Sequence, residues 1–183
     1  NHPMVFVKKN SNVSYNVVQV NSKANDPTGM MQSVSIKIKR DGVMTVKIPF
    51  LHEINVMVLF RALGIESDKD IIEYCAYDKT DHHMIEKLRS SLETCVNDND
   101  DNEIKIQTQD EAIDYLITKM KVIKKYNESS IRTKIEQRRI HLLDLLKTSF
   151  LPHIQGSPTS PYREKGYYLG YMVNKLLRVE LNR

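Results

Sequence analysis

The stretch VLFRALGIESDKDI, residues 58–71, places the end of one helix and the start of another within fourteen residues. Gly64 follows an apolar run, the position where a glycine in the left-handed conformation commonly ends a helix. Ser67, with Asp70 three positions later, is typical of a helix start at which the serine side chain accepts a backbone hydrogen bond. The stretch therefore predicts a helix–turn–helix corner, and it contains no evident catalytic group.

The residues before this corner alternate between apolar and polar side chains, a pattern typical of strands with one buried face. The alternating apolar positions are Val13, Tyr15 and Val17, then Val34, Ile36 and Ile38, and finally Met44, Val46 and Ile48. The last two runs flank residues 40–42 (RDG), which indicates a hairpin. A two-residue turn would pair Ile38 with Thr45 and mix apolar and polar residues on one face. We therefore predict a three-residue loop that pairs Ile38 with Met44, with Gly42 in the left-handed region.

Pro49 is predicted to end the sheet, because apolar residues after it recur mainly at helical spacing. The predicted helices are 51–63, 68–77, 81–94, 109–123, 132–150 and 161–180. Their apolar faces are predicted to hold Met84, Leu88 and Leu92, then Ile135, Leu142, Leu146 and Phe150, and finally Tyr168, Met172 and Leu176. The predicted fold class is α+β: a small antiparallel sheet with a hairpin, residues 1–49, followed by a mostly helical body, residues 50–183.

Two further local patterns belong to these helices. Thr108 and Glu111 form a second capping-box pattern, here with the preferred glutamate. Gly166 and Gly170 lie one helical turn apart, which would let another helix approach closely. The remaining tyrosines of residues 162–171 (YREKGYYLGY) lie in the same helix, and helical spacing favours core packing over a binding surface.

The sequence contains no motif for a catalytic, cofactor-binding or metal site. The six histidines lack zinc-ligand spacing, and the acids of residues 97–103 lack the glycine and glutamate of a calcium loop. Phosphate-binding loops and nucleophile elbows are also absent at the motif level. Cys75 and Cys95 form no CxxC pair and are predicted to be core residues. The longest apolar run, residues 56–60, is too short to span a membrane, so no membrane partner is expected.

The strongest functional signal is a basic segment, which we define as residues 119–139. Its eight cations oppose only Glu128 and Glu136, so its formal local charge exceeds the +4 of the whole chain. A nucleic-acid-binding surface and an ordinary solvated surface explain this pattern equally well. Tyr126 is its only aromatic residue, which argues against a stacking platform for single strands. The candidate nucleic-acid-binding residues are Lys119, Lys121, Lys124, Lys125, Arg132, Lys134, Arg138 and Arg139.

Three stretches together resemble a known family. They are FRALGIESDKDIIEYCAYD (60–78), FLPHI (150–154) and KGYYLGYMVNKLL (165–177). In this order and spacing they resemble the lobe domain of the second-largest subunit of multisubunit RNA polymerases. The likeness is to the eukaryotic RNA polymerase II type and its relatives in large DNA viruses. The resemblance covers essentially the whole chain, although residues 97–103 and the basic segment match no motif of that family.

The resemblance implies a non-catalytic scaffold that forms a wall of the DNA cleft and a docking surface for transcription factors. It implies other polymerase subunits as partners, mainly the largest subunit, together with downstream DNA and initiation factors. The catalytic magnesium and the zinc of such an enzyme are expected elsewhere in the parent polymerase, which performs nucleotidyl transfer. The implied location is the nucleus for a cellular protein, and the host cytoplasm or virion for a viral one. The chain does not begin with methionine, so we expect a piece of a longer protein.

Two other hypotheses remain open at this point. A stand-alone basic domain that binds DNA or RNA would follow from the charge of residues 119–139. An enzyme whose site is assembled only in space would require a pocket that holds several perturbed acids or histidines.

Overall fold

The computed structural model describes residues 5–9, 16–23, 31–121, 131–154, 158–159 and 162–181. Within these residues, five strands precede six helices, so the α+β fold class is confirmed. The strands are β1 (Val5–Lys9), β2 (Asn16–Lys23), β3 (Met31–Ile38), β4 (Met44–Ile48) and β5 (Leu51–Asn55). The helices are α1 (Val56–Ala62), α2 (Asp68–Ala76), α3 (His82–Glu93), α4 (Gln109–Thr118), α5 (Ile131–Thr148) and α6 (Arg163–Glu180).

The strands form one antiparallel sheet in which each strand pairs with its neighbours in sequence order. The β3–β4 hairpin has the predicted register, with Ile38 opposite Met44. Its loop is closed by a hydrogen bond of 2.9 Å from the Lys39 N–H to the Val43 carbonyl, and Gly42 has a φ of 85°. The three-residue loop is therefore confirmed.

The sheet continues past Pro49, so the predicted helix 51–63 was wrong in its first five residues, which form β5. Leu51 and Ile54 are both buried and lie three residues apart, a spacing that resembles a helix. A register shift between Val46 and Ile48 lets β4 pair with both of them. The irregularity thus brings two apolar residues of helical spacing to the core side of a strand.

The alternation predicted for β2 placed Val17 on the buried face, and this prediction was wrong. Val17 is half-buried, whereas Val18 and Val20 are fully buried. The pairing with β3 explains this, because Val18 lies opposite Ile36 and both belong to the core face. The other predicted positions, 13 and 15, lie outside the described residues.

The helical predictions differ from the structure mainly at their ends. The predicted helix 109–123 ends at Thr118, because Met120 then bridges to Leu51 and the chain pairs with the start of β5. In the predicted helix 132–150, Leu142, Leu146 and Phe150 are fully buried as predicted, although Phe150 follows the end of α5. Ile135 is 48% exposed. Ile135 lies two turns before Leu142 on the same side of the helix, so this side extends beyond the core.

The corner between α1 and α2 has the predicted geometry. Gly64 has a φ of 96°, and its N–H donates to the Arg61 carbonyl at 3.0 Å. The Ile65 N–H donates to the Phe60 carbonyl at 3.1 Å, which completes a Schellman motif. Ser67 accepts a hydrogen bond from the N–H three residues later, and both bonds of the Thr108 capping box are present. The sharpest sequence signals therefore specify the local structure correctly.

Helix α6 lies at the centre of the molecule, where it contacts β1, β2 and β3 as well as α2 and α3. Gly170 lies against the backbone carbonyl of Tyr74 on α2, and a Cβ there would overlap the carbonyl oxygen. Gly166 lies against the end of the Ile65 side chain. The expected close approach of a second helix is confirmed, and α2 is that helix. No helix in the described part of the chain is long and apolar enough to cross a membrane.

We expect Gly170→Ala to lower the free energy of unfolding by about 1–3 kcal/mol, the usual cost of overpacking. The added methyl group meets a backbone carbonyl, which moves only if α2 and α6 separate. Gly166→Ala is the matched control, because its methyl group meets a flexible side-chain end and alanine favours the helix by about 1 kcal/mol. Urea unfolding measures both values, and an equal effect of the two substitutions would contradict the prediction.

Candidate functional site

Three segments that are distant in sequence meet around α6, and they are the three stretches that carry the family resemblance. Asn174 of α6 donates from Nδ2 to the Cys75 carbonyl of α2 at 2.8 Å. Lys165 of α6 contacts the end of α5 and the turn at residues 150–154. The stretches therefore form one continuous packing unit, which we call the α6 junction.

Lys165 is 1% exposed, and its ammonium group lies against the C-terminal end of α5. Its Nζ donates to the carbonyls of Leu146 at 2.9 Å, Lys147 at 2.6 Å and Phe150 at 2.5 Å. The last carbonyls of a helix have no partner within the helix, and the helix dipole favours a cation there. Burial lowers the pKa of Lys165 to about 8, while the three carbonyls favour the charged form. Sequence reasoning missed this contact, because a helical lysine ordinarily indicates solvent exposure.

His153 ties the 150–154 turn to the sheet. Its Nδ1 and the Ser22 hydroxyl of β2 share a hydrogen bond of 2.7 Å, and its backbone N–H donates to the same oxygen at 3.2 Å. The imidazole ring also packs edge-on against Tyr168 of α6, with ring centroids 4.8 Å apart. Ser22 is fully buried, so this serine–histidine pair is closed to a substrate and serves as a structural contact.

Arg61 holds the α1–α2 corner from inside the protein. It is 5% exposed, and its guanidinium donates to the Glu66 carbonyl and, at 2.6 Å, to Oδ1 of Asp68. Burial alone would lower the pKa of Arg61, but Asp68 and Cys95 together outweigh it and raise the pKa. The side chain thus joins the end of α1 to the first residue of α2, which adds rigidity to the corner.

The two cysteines are buried free thiols, as the sequence predicted. Burial raises the pKa of Cys75, and burial also raises the pKa of Cys95 although Arg61 acts in the opposite direction. Both thiols are therefore protonated at neutral pH, which makes them poor nucleophiles and poor metal ligands. In the residues that the structure describes, no three His, Cys, Asp or Glu side chains come together as a metal-binding group.

Several cations of the basic segment are engaged with neighbouring acids. Arg139 of α5 contacts Asp110 at 2.6 Å and Asp114 at 3.4 Å, both on α4. Lys119 pairs with Asp98 at 3.1 Å. These contacts fix α5 and the acidic loop to α4, so Arg139 and Lys119 have structural partners in addition to their predicted role.

The other cations of the basic segment are more open. Lys121 is exposed, and Arg132 is exposed while pairing with Glu136 at 3.5 Å. Lys134 and Arg138 are half-buried on α5. Lys124 and Lys125 lie outside the described residues. The nucleic-acid role of this segment stays a prediction, and its most accessible described cations are Lys121 and Arg132.

Most of the acidic loop, residues 97–103, is exposed. Asp98 differs, because its Oδ1 accepts a hydrogen bond of 2.8 Å from the Tyr115 hydroxyl in addition to the Lys119 contact. Partial burial acts to raise the pKa of Asp98, but Tyr115 and Lys119 outweigh it and hold the pKa below its usual range. The loop is thus attached to α4 at its base.

The chain is similar to known proteins over nearly its whole length. A family model described as RNA polymerase Rpb2, domain 2, matches residues 1–183. DNA-directed RNA polymerase subunit 2 of Acanthamoeba polyphaga mimivirus is 30% identical over 183 residues, which cover 98% of this chain and 15% of the relative. DNA-directed RNA polymerase II subunit 2 of Arabidopsis thaliana is 31% identical over 193 residues, which cover 100% of this chain and 15% of the relative. DNA-directed RNA polymerase subunit Rpo2 of Saccharolobus shibatae is 28% identical over 177 residues, which cover 96% of this chain and 14% of the relative.

In the α6 junction, the side chains of Lys165 and Asn174 donate to backbone carbonyls of other segments. The chain belongs to the family of domain 2, the lobe, of the second-largest subunit of RNA polymerases. The family resemblance inferred from the three stretches is therefore confirmed. The chain spans about 15% of the length of the mimivirus and Arabidopsis relatives.

The lowered pKa of Lys165 predicts a pH-dependent contribution to stability. Between a folded pKa of about 8 and the ordinary lysine value of 10.5, the unfolded chain binds the additional proton. We therefore expect the stability of the protein, relative to that of Lys165→Met, to rise from pH 8 to pH 10.5 by up to about 1.4 kcal/mol per pH unit.

Denaturant unfolding of both proteins at each pH measures this difference. Using the difference cancels the titration of the tyrosines, which is shared by both proteins. A difference that stays constant from pH 8 to pH 10.5 would show that Lys165 keeps its ordinary affinity for protons in the folded protein.

Proposed function

We propose that this chain is the non-catalytic lobe module of a multisubunit DNA-dependent RNA polymerase, where it forms a wall of the DNA cleft. The match of the domain 2 family model to residues 1–183 carries this proposal. The relatives are named as polymerase subunits and are several times longer than this chain, which is consistent with one module of a larger subunit.

The contacts of the α6 junction support a scaffold role. Lys165, Asn174 and Arg61 each donate to backbone carbonyls of another segment and thereby fix its position. Catalysis would then reside elsewhere, and we expect the catalytic magnesium and the zinc of the parent enzyme to be bound outside this chain. We propose other polymerase subunits, mainly the largest, as partners, and the nucleus, host cytoplasm or virion as the location.

The basic segment is the surface that we propose to face downstream DNA. Lys121 and Arg132 are exposed, and Lys134 and Arg138 are accessible in part. Cations that approach phosphates release condensed counterions, which makes the binding depend on salt but not on sequence. Such contacts suit a cleft wall, because a transcribing enzyme must hold DNA of every sequence.

We expect simultaneous Lys121→Glu, Arg132→Glu, Lys134→Glu and Arg138→Glu substitutions in the parent polymerase to weaken its binding to downstream duplex DNA. Each lost phosphate contact should reduce the slope of log K against log salt by about 0.9. The matched control reverses Lys69, Lys79, Lys87 and Arg89, which are exposed on α2, α3 and the loop between them. Equal slopes in both variants would remove the basic segment from the DNA interface.

A stand-alone basic domain that binds nucleic acid is the second candidate, favoured by the charge of the basic segment. An antibody raised against this chain distinguishes the two in native extract fractionated for RNA synthesis. The lobe proposal expects a band far above 21.3 kDa that elutes with template-dependent nucleotide incorporation. A band at 21.3 kDa away from that activity would overturn it and favour the stand-alone domain.

A further inference from the structure

The side of the sheet that points away from the core carries mainly polar side chains. On the core side, Val18, Val34, Ile36 and Val46 are fully buried. Because side chains alternate along a strand, the residues between them point to the opposite side, which we call the outer face. In β2, β3 and β4, the polar residues of the outer face are Gln19, Asn21, Ser33, Ser35, Lys37, Thr45 and Lys47.

Strand pairing brings four of these residues together. Gln19 lies opposite Ser35, and Ser35 lies opposite Lys47, so the three form a row across β2, β3 and β4. Ser33 adjoins this row and accepts a hydrogen bond of 3.0 Å from Gln19 Nε2. A cavity of about 240 Å³, which we call the sheet pocket, is lined by these four residues together with Ile48 and Pro49.

The polar groups of the sheet pocket are mainly hydrogen-bond donors. Gln19 Nε2 donates to the Ser33 hydroxyl oxygen and, at 3.1 Å, to Asn21 Oδ1. Since the Ser33 oxygen accepts this bond, its own proton can be donated to a ligand. Ser35 adds a second hydroxyl, and Lys47 adds an ammonium group. The described residues of the lining include no carboxylate, so the pocket favours an oxyanion such as phosphate.

The acid on the neighbouring strand is already engaged. Glu53 of β5 accepts a hydrogen bond of 2.5 Å from the Thr45 hydroxyl, and its Oε1 lies 3.1 Å from Lys37 Nζ. Lys37 therefore serves as the counter-charge of Glu53. Lys47 is exposed, and no acid in the described part of the chain forms an ion pair with it. The charge of the sheet pocket is thus positive.

The surface along α2 and α6 differs in this respect. Tyr167 and Tyr171 are 53% and 41% exposed there, so the core packing that helical spacing favoured was wrong for these two residues. The pocket on this surface is lined by Arg178 but also by Asp78 and Asp81. Charges of both signs select no class of ligand there, whereas the charged group of the sheet pocket is a cation.

The sheet pocket is continuous with the start of the basic segment. Pro49 lines the pocket, and the carbonyl of the next residue, Phe50, accepts a hydrogen bond of 3.1 Å from the Lys121 N–H. Leu51 also bridges to Met120. Lys121 is exposed, so a second cation lies beside the turn between β4 and β5. A ligand with several phosphates in a row could therefore contact the pocket and the basic segment together.

We propose that the sheet pocket binds a backbone phosphate of duplex DNA, held by the ammonium group of Lys47 and the hydroxyls of Ser33 and Ser35. Lysine and serine side chains are common donors to DNA phosphates, and such contacts position the duplex without reading its sequence. This inference rests on the DNA interface proposed for the basic segment and extends it by one site of defined geometry.

The test compares the parent protein with its Lys47→Gln variant, which loses the charge but keeps a polar side chain. Fluorescence anisotropy measures the binding of a fluorescein-labelled DNA duplex over a range of salt concentrations. We expect the slope of log K against log salt to fall by about 0.9, as for the loss of one phosphate contact. Lys47→Arg should keep the slope of the unaltered protein, because arginine carries the same charge.

The serine hydroxyls give a second readout, because neutral donors release no counterions from DNA. Ser33→Ala combined with Ser35→Ala should weaken DNA binding about tenfold and leave the slope unchanged. Lys69→Gln is the matched control for Lys47→Gln, since Lys69 is exposed on α2 and belongs neither to the sheet pocket nor to the basic segment. This control should bind DNA like the unaltered protein.

An unchanged slope for Lys47→Gln, or unchanged affinity of the double serine variant, would overturn the proposal. The fourfold charge reversal of the basic segment, measured alongside, separates the two inferences. A lower slope in that variant alone would leave the basic segment as the DNA interface and remove the sheet pocket from it. Unchanged slopes in both variants would contradict the DNA interface as a whole.

A fluorescein-labelled peptide of ten residues with one central phosphoserine is the competing probe. We expect it to bind no more weakly to Lys47→Gln than to the unaltered protein. Peptide binding that Lys47→Gln abolishes, together with unaltered DNA binding, would assign the sheet pocket to a phosphorylated protein segment and would overturn its assignment to DNA.

Discussion

The close approach of α6 to α2 is the constraint on which most of the structure depends. Gly170 lies against the Tyr74 carbonyl, and one turn further along, Asn174 reaches the Cys75 carbonyl. The same helix contacts three strands of the sheet. Since α6 is fixed on both sides, Lys165 near its start is positioned to donate hydrogen bonds to carbonyls at and just after the end of α5. Gly170, which has no side chain, thereby permits the close approach of the helix around which the corner, the sheet and α5 are arranged.

Three buried polar side chains share one mode of contact, which helps to define how the helices are arranged. Arg61, Lys165 and Asn174 donate to carbonyls that are left open at helix ends or turns. Buried donors and acceptors cost free energy unless paired, so an alternative packing would leave several of them unsatisfied. The contacts therefore disfavour competing arrangements of the helices.

Sequence alone predicted the features that depend on neighbouring residues. Gly64, Ser67 and the Arg40–Gly42 loop act through local backbone geometry, and their predicted conformations are confirmed. The β5 strand was missed because a register shift on β4 places residues of helical spacing against the core. Lys165 was missed for a related reason: only tertiary structure brings the end of α5 to its ammonium group. Sequence periodicity cannot report a partner that lies far along the chain.

The basic segment and the pocket beside Tyr77 and Arg178 suit different physical tasks. Long-range charge mainly accelerates encounter and is screened by salt, whereas a pocket that desolvates a side chain slows dissociation. Arg139 and Lys119 of the basic segment already pair with acids of their surroundings, so its remaining charge suits a loose, sequence-independent contact. Tyr77 and Arg178 instead border a defined pocket. A surface that held DNA only through such loose contacts would let a template of any sequence move past it.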